Sequence, residues 1–238
     1  MTEFTDALKN GALELNIYLS DKQIEVFKIY LDYILEYNKH TNLTAITEPK
    51  NIAIKHFLDS LILCKVIQPK KDSSIIDIGS GAGFPGVPLK IVYPEINLTL
   101  LDSSQKRVNF LNNLMDKIGV KYAVFHERAE VLAKDENYKD KFDYVVARAV
   151  APLNILTEYC LPFLKINGIF VALKGPNVEQ ELINAGNSIK LLNGKLQTVE
   201  KFELPNQNGT RNLILIKKTD KTSPKYPRAS AKITKKPL

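Results

Sequence analysis

Between Ile75 and Gly86 the chain reads Ile-Ile-Asp-Ile-Gly-Ser-Gly-Ala-Gly-Phe-Pro-Gly, an apolar strand running into a loop in which every other residue from Gly79 to Gly83 is glycine. After a buried strand the backbone must turn sharply and come close to a ligand, which a Cβ would block or strain. The pattern points to a doubly wound α/β sheet with a nucleoside cofactor at its edge. The spacing then chooses among cofactors. A dinucleotide fingerprint, Gly-x-Gly-x-x-Gly, would put its last glycine at position 84, which is Phe84. Gly-x-Gly-x-Gly with Asp77 just before it is the S-adenosylmethionine form of the loop, in which no pyrophosphate has to be cradled.

A second apolar strand, Ile96 to Leu101, ends in Asp102, about twenty residues past the loop, where such folds place an acid to accept hydrogen bonds from ribose hydroxyls. Asp102 is therefore the predicted ribose ligand. The alternative is an N-cap for the helix expected over Ser103 to Ile118, although Ser103 and Ser104 can cap as well.

From Ser74 onward strands and helices alternate, which calls for a mostly parallel sheet with helices on both faces. Strands are expected at Ser74 to Ile78, Asn97 to Asp102, Val120 to His126, Phe142 to Ala147 and Gly168 to Leu173, with helices after the first, second, fourth and fifth. Asn167-Gly168 reads as a turn before the fifth. Two further strands, Leu196 to Glu203 and Arg211 to Lys217, are joined by a linker short enough for an antiparallel hairpin. Five parallel strands finishing in a hairpin is the usual architecture of S-adenosylmethionine methyltransferases.

The region before Ser74 carries helical periodicity. Ile24, Phe27, Leu31, Ile34 and Leu35 fall on one face, with Ser20 as N-cap and Gln23 at the capping-box position. A turn over Tyr37 to Thr47 precedes a second helix, Asn51 to Ile67. With 238 residues and 45% apolar side chains the chain can bury a sizeable core. No segment is long and apolar enough to span a bilayer, and Met1 to Asn10, with Glu3 and Asp6, lacks the apolar run of a signal peptide. Cys64 and Cys160 read as ordinary core thiols, so a cytoplasmic location is expected.

The net charge of +7 becomes informative once located. Lys217 to Leu238 hold seven lysines and one arginine against Asp220 alone, and residues 1–216 are formally neutral. With Pro224, Pro227 and Pro237 this tail is not expected to form regular structure. Charge alone serves a phosphate-seeking tail and a solvated end equally. Tyr226 and Arg228 favour nucleic acid, because an aromatic face and a guanidinium can stack on unpaired bases.

The acceptor must meet residues just after the fourth and fifth strands, Ala147-Arg148-Ala149-Val150-Ala151-Pro152 and Leu173-Lys174-Gly175. The Asn-Pro-Pro-aromatic loop used for exocyclic amines is missing there, and Cys160 sits in Glu-Tyr-Cys-Leu-Pro inside a helix, not in the Pro-Cys setting of a pyrimidine carbon-five nucleophile. A ring nitrogen with its own lone pair, such as guanine N7, needs only alignment, with no nucleophile and no general base. Arg148 could hold the cofactor, donate to guanine O6, or form an ion pair capping the sheet. Lys174 is a candidate phosphate contact or surface decoration. His56 and Asp59 share a helical face, but neither His40 nor His126 has ligand spacing to join them, so a structural histidine near the loop is expected and no metal site.

These residues resemble the RsmG (GidB) family of 16S ribosomal RNA guanine-N7 methyltransferases. The matching segments are Asn42-Leu43-Thr44-Ala45-Ile46, His56-Phe57-Leu58-Asp59-Ser60, Asp77 through Leu89, Leu101-Asp102-Ser103, Lys106-Arg107-Val108-Asn109-Phe110-Leu111, Arg128-Ala129-Glu130, Ala147 through Ala151, Leu173-Lys174-Gly175 and Tyr226-Pro227-Arg228. The resemblance implies a seven-stranded Rossmann-like class I fold and a bacterial enzyme methylating N7 of one guanine in the decoding-region loop of 16S rRNA. It places the cofactor on Gly79, Phe84, Ala129-Glu130 and Arg148, a cofactor role now preferred for Arg148. The reading divides the chain into a helical extension packed on the core over residues 1–70, a cofactor-binding core over 71–217 and a basic RNA-binding tail over 218–238. The expected partner is 16S rRNA or the small ribosomal subunit, with no membrane and no metal, and a monomer is expected. Two departures fall in the tail, where Ala231 and Ile233 stand in place of the family's frequent glycine and proline. A noncatalytic RNA-associated factor and a small-molecule methyltransferase are the other classes left open by the residues alone.

Overall fold

The computed structural model describes residues 2–238, and its chain begins with helices. α1 (Thr2–Glu14) buries Phe4, Ala7, Leu8 and Ala12, an i, i+3, i+4 stripe within the first fifty helical residues that the sequence reading did not resolve into an element. α2 (Asp21–Asn38) starts at the expected capping box: Ser20 Oγ accepts from the Gln23 amide, and Gln23 Oε1 accepts from the Ser20 amide. α3 (Pro49–Ile52) then widens into a π-helical turn (Ala53–Leu58), returns to α geometry in α4 (Asp59–Leu61) and tightens to a 3-10 turn (Ile62–Lys65).

The alternating part runs β1 (Ser74–Ile78), α5 (Gly86–Val92), β2 (Asn97–Asp102), α6 (Gln105–Ile118), β3 (Ala123–His126), α7 (Ala129–Leu132), β4 (Phe142–Arg148), α8 (Leu153–Cys160), β5 (Leu164–Lys174) and α9 (Glu179–Leu191). It closes with β6 (Gly194–Glu203), β7 (Thr210–Lys218) and a short α10 (Ser230–Lys235). One seven-stranded sheet results, in the order β3-β2-β1-β4-β5-β7-β6. β1 to β5 pair in parallel, and β7 lies antiparallel to both β5 and β6. Strand order reverses between β1 and β4, which opens a crevice beyond their carboxyl ends.

Side-chain alternation along the central strands feeds two apolar layers. Ile75, Val146, Val171 and Leu215 face one side, sharing a cluster with Phe4, Phe27, Ile54 and Phe57 of the leading helices. Ile76, Val145, Phe170 and Ile216 face the other, with Leu156, Ile189 and Tyr226. The leading helices are thus one wall of the sheet's own core.

The structure departs from the sequence reading in three places. β5 begins at Leu164, and Asn167, with φ of 70°, is a kink inside the strand instead of a turn before it; the pairing with β4 shifts register across this point. A short helix, α7, follows β3 where none was expected. The tail is packed: residues 219–229 are irregular as expected and only α10 is helical, yet Tyr226 and Ile233 are buried, and Lys218 is buried with its ammonium donating to the Leu161 carbonyl and to Thr222. Burial pulls the Lys218 ammonium down to about 8.

Candidate active site

The glycine loop is built as its spacing requires. Gly79, Gly81 and Gly83 have φ of 72°, 60° and 92°, in the left-handed region that favours glycine. At Gly79 space is short as well, since a Cβ would lie 2.6 Å from Val150 Cγ2. The loop is tied to β2 by amides of Gly79 and Ser80 donating to the Leu101 carbonyl. Behind it the fully buried Asp77 accepts from the Gly86 amide at 2.8 Å, while its Oδ1 has no partner among the described residues; burial pushes this carboxyl up to about 7.

Asp102 ends β2 beside the glycine loop and the start of α6. Its oxygens accept from the Gly81 amide and the Ser104 amide, each at 2.9 Å, so it braces the glycine loop and the start of α6 together. It also borders a cavity of about 410 Å³ lined by Gly79, Asp102, Arg107, Ala129 and Glu130. Arg107 approaches it at 3.4 Å, and a carboxylate has about four acceptor positions in all. Ser104 is the N-cap residue but its hydroxyl makes no cap bond, and at this helix Asp102 accepts only from the Ser104 amide, so no side chain caps the first-turn amides of α6. Gly79, Asp102, Ala129 and Glu130 are thereby brought together, as the sequence reading expected.

A larger cavity, about 790 Å³, lies on the other side of Ala149 and Val150, which line both. Ala149 is held at φ of 56°, a strained conformation for alanine at the point where the two spaces meet. The floor of the larger cavity is an ion cluster. Asp59 Oδ2 accepts from Arg148 Nη1 and Asp59 Oδ1 from Arg211 Nε, each at 2.7 Å, with the Asp59 side chain 5% exposed. The π-helical turn offers the carbonyls of Lys55 and His56 to the same Arg148 Nη1 at 3.3 and 3.5 Å. The Arg148 guanidinium lies 4.9 Å from the Phe84 ring centroid, and His56 stacks on Phe84 with centroids 4.9 Å apart.

His56 is structural, as expected. Its Nε2 lies 2.8 Å from Thr44 Oγ1 and its Nδ1 faces Arg148 Nη2 at 3.4 Å, so the neutral ring donates from Nε2 and accepts at Nδ1. Burial, then Arg148, brings its pKa down to about 4. Among the described residues no group of three or more His, Cys, Asp or Glu side chains is placed to hold a metal ion.

Several expectations are corrected by these positions. Arg148 lines the larger cavity, ion-paired with Asp59 and directly before Ala149, which lines both cavities. Phe84 lines neither cavity; its ring is buried between Tyr30, Phe57 and His56. Lys174 is not free for a phosphate, since its ammonium donates to the Ala151 carbonyl and pairs with Glu181, both at 2.7 Å. Tyr226 is buried, and Arg228 grips the fully buried Glu158 through Nε at 2.9 Å and Nη2 at 2.7 Å, so neither is available to stack on a base. Sequence reasoning missed Arg211, Tyr159 and Ser230 altogether. Each stands outside any local pattern and joins the site only through sheet order and the path of the tail.

A doubly wound sheet, a left-handed glycine loop and carboxylates of Asp102 and Glu130 in one adjoining cavity suit a sulfonium nucleoside, and together they define an S-adenosylmethionine-dependent methyltransferase. Solved structures share the fold: a SAM dependent methyltransferase from Aquifex aeolicus has a TM-score of 0.53 at 16% identity, covering 72% of this chain and 94% of its own. NSun6 from Pyrococcus horikoshii with SFG has a TM-score of 0.56 at 15% identity, covering 68% of this chain and 52% of its own. The chain belongs to the rRNA small subunit methyltransferase G family, whose model matches residues 23–214. It is 44% identical over 239 residues to Ribosomal RNA small subunit methyltransferase G of Desulforamulus reducens, covering all of both chains, and 47% identical over 234 residues to that of a Thermoanaerobacter species, covering 98% of each.

Proposed function

We propose that this enzyme transfers a methyl group from S-adenosylmethionine to N7 of one guanine in 16S rRNA, acting in the cytoplasm as a single chain. The observation that carries the reading is the pair of cavities with a common wall at Ala149 and Val150: the smaller one suits the cofactor, and the larger one is lined by Arg148 and Arg211. When bound, S-adenosylmethionine supplies an electrophilic methyl on a positively charged sulfur. Guanine N7 has a lone pair and no proton to lose, so the protein is asked for alignment and not for a base.

The cavity is consistent with that demand. Its carboxylates are committed, Asp59 to Arg148 and Arg211, and Glu181 to Lys174 and the Leu153 amide. Its arginines cannot accept a proton. Asp59, shared between the two guanidiniums, fixes their planes and offsets part of their charge where a cationic methylated base must form. Lys174, gripping the Ala151 carbonyl, and Glu181, accepting from the Leu153 amide, hold the 149–152 loop from below. No helix is long and apolar enough to cross a membrane among the described residues. The exposed lysines of the tail support contact with RNA phosphates.

The test is transfer of labelled methyl to small subunits and to protein-free rRNA from cells lacking this protein, with the product mapped by N7-methylguanine-specific cleavage. Label at one guanine is the expected result, and the substrate that takes it tells subunit from naked RNA. No label on either, with cofactor binding intact, would overturn the reading.

A further inference from the structure

The Tyr226-Pro227-Arg228 motif is spent on the protein's own interior, and what it secures is the edge of the cofactor cavity. Arg228 reaches Glu158 of α8 with both Nε and Nη2, and its own amide donates to Glu158 Oε1 at 2.8 Å. Glu158 is fully buried, and without this partner its charge would be left unpaired. Tyr226 packs into the apolar layer beneath α8, and Ile233 of α10 is fully buried. Between these two anchors lies Ser230. Its hydroxyl is 3.4 Å from Tyr159 Oη and accepts from Arg128 Nη1 at 3.3 Å, and both Ser230 and Tyr159 line the 410 Å³ cavity together with Asp102 and Glu130.

Position on the chain makes this arrangement informative. Arg128 immediately precedes Ala129-Glu130 and is itself paired with Glu130 at 3.8 Å. The tail therefore contributes to the cavity wall beside Arg128, next to the Ala129-Glu130 pair. On the outer side of α10 Lys232 and Lys235, with Lys236 just past its end, are exposed and have no carboxylate partner among the described residues. One six-residue helix thus carries a cavity wall on its inner side and a basic surface on its outer side.

We infer that the C-terminal segment is a wall of the cofactor site: Arg228 and Glu158 are a positioning pair that seats Ser230 against Tyr159 and Arg128, and cofactor affinity depends on that seat. The inference rests on the cofactor half of the function above and is independent of the rRNA substrate. The lysines outside have no part in holding the cofactor.

Calorimetric titration of the full-length chain with S-adenosylhomocysteine tests it. Arg228→Met is expected to weaken binding by about tenfold or more, a change of about 1.4 kcal/mol, and Arg228→Lys to recover part of the loss by keeping a donor for Glu158. With methyl transfer as readout, the KM for S-adenosylmethionine rises while kcat at saturating cofactor stays within about twofold, a split that general loss of structure would not give. Because Arg228→Met leaves the buried Glu158 unpaired and lowers the yield of folded protein, Ser230→Phe is the companion variant: it breaks no buried charge pair and places a ring at the cavity rim, with a comparable loss of affinity expected. The outer-face triple variant K232S/K235S/K236S should bind S-adenosylhomocysteine as the parent does. Unchanged affinity in Ser230→Phe, or in a folded Arg228→Met, overturns the inference, as does an equal loss in the triple variant. Failure to label rRNA would refute the substrate reading while leaving these titrations fully interpretable.

Discussion

Replacing Asp59 by Asn tests whether one carboxylate organises the larger cavity. Asp59 accepts two bonds of 2.7 Å from Arg148 and Arg211. Each hydrogen bond to a charged group is worth about 1.5 to 3 kcal/mol. Asn keeps one acceptor oxygen and turns an amide N–H2 toward the other guanidinium, so one bond is lost outright and the survivor loses its charge. Removing a partner from a fully buried pair costs about 3 to 5 kcal/mol, but the arginine side chains are 15% and 24% exposed and water screens part of the effect. The expected loss is therefore about 2 to 3 kcal/mol, or about 4 to 12 °C in Tm for a chain of this size. Guanidinium unfolding and thermal melts measure it, and methyl transfer at saturating cofactor should fall together with stability because both arginines lose their orientation. A double-mutant cycle with Arg211→Met should show strong coupling. A loss below about 0.5 kcal/mol, the range of ordinary surface substitutions, with unchanged transfer, would refute the claim that Asp59 anchors this site.

His56 makes stability depend on pH in a defined window. Its folded pKa of about 4 lies below the unfolded 6.5, so the unfolded chain takes up a proton first as pH falls; the stabilisation is complete above about 6.5, is lost on the way down to about 4, and amounts to roughly 3 kcal/mol. Denaturant titrations at stepped pH should show His56→Gln with a flatter slope across that interval, and parallel slopes would contradict the assignment. Gly79→Ala meets both a left-handed φ and Val150, which predicts a loss of about 1 to 2 kcal/mol from the backbone alone and weaker S-adenosylhomocysteine binding by calorimetry; parental affinity would mean that the loop does not touch the cofactor. Lys174→Met frees the Ala151 carbonyl and Glu181, so kcat should fall while affinity for S-adenosylhomocysteine holds; the reverse pattern in steady-state kinetics and titration would place Lys174 at the cofactor instead.

The sequence by itself determined the parts of this protein whose causes are local. Glycines at Gly79, Gly81 and Gly83 are legible because only a residue without Cβ adopts such φ values freely, and the capping box at Ser20 and Gln23 needs no more than four neighbouring residues. Apolar runs spaced by helical patterns dictated the parallel sheet, and the short link after β6 dictated its antiparallel end. Even the places of Asp102 and Ala129-Glu130 follow, since Asp102 ends β2 and Ala129-Glu130 open the helix after β3, at strand ends that must lie at the crevice. Tertiary structure decided what depends on strand order and chain return. Asp59 and Arg211 are 152 residues apart and meet because β7 inserts beside β5. Arg128 and Ser230 are 102 residues apart and meet because Glu158, buried in α8, captures Arg228. The same capture explains why a tail rich in lysine and proline is ordered: its composition favours solvent, but one buried carboxylate and two apolar sockets outweigh that preference. No local pattern records such a socket, because the residues that form it belong to other elements.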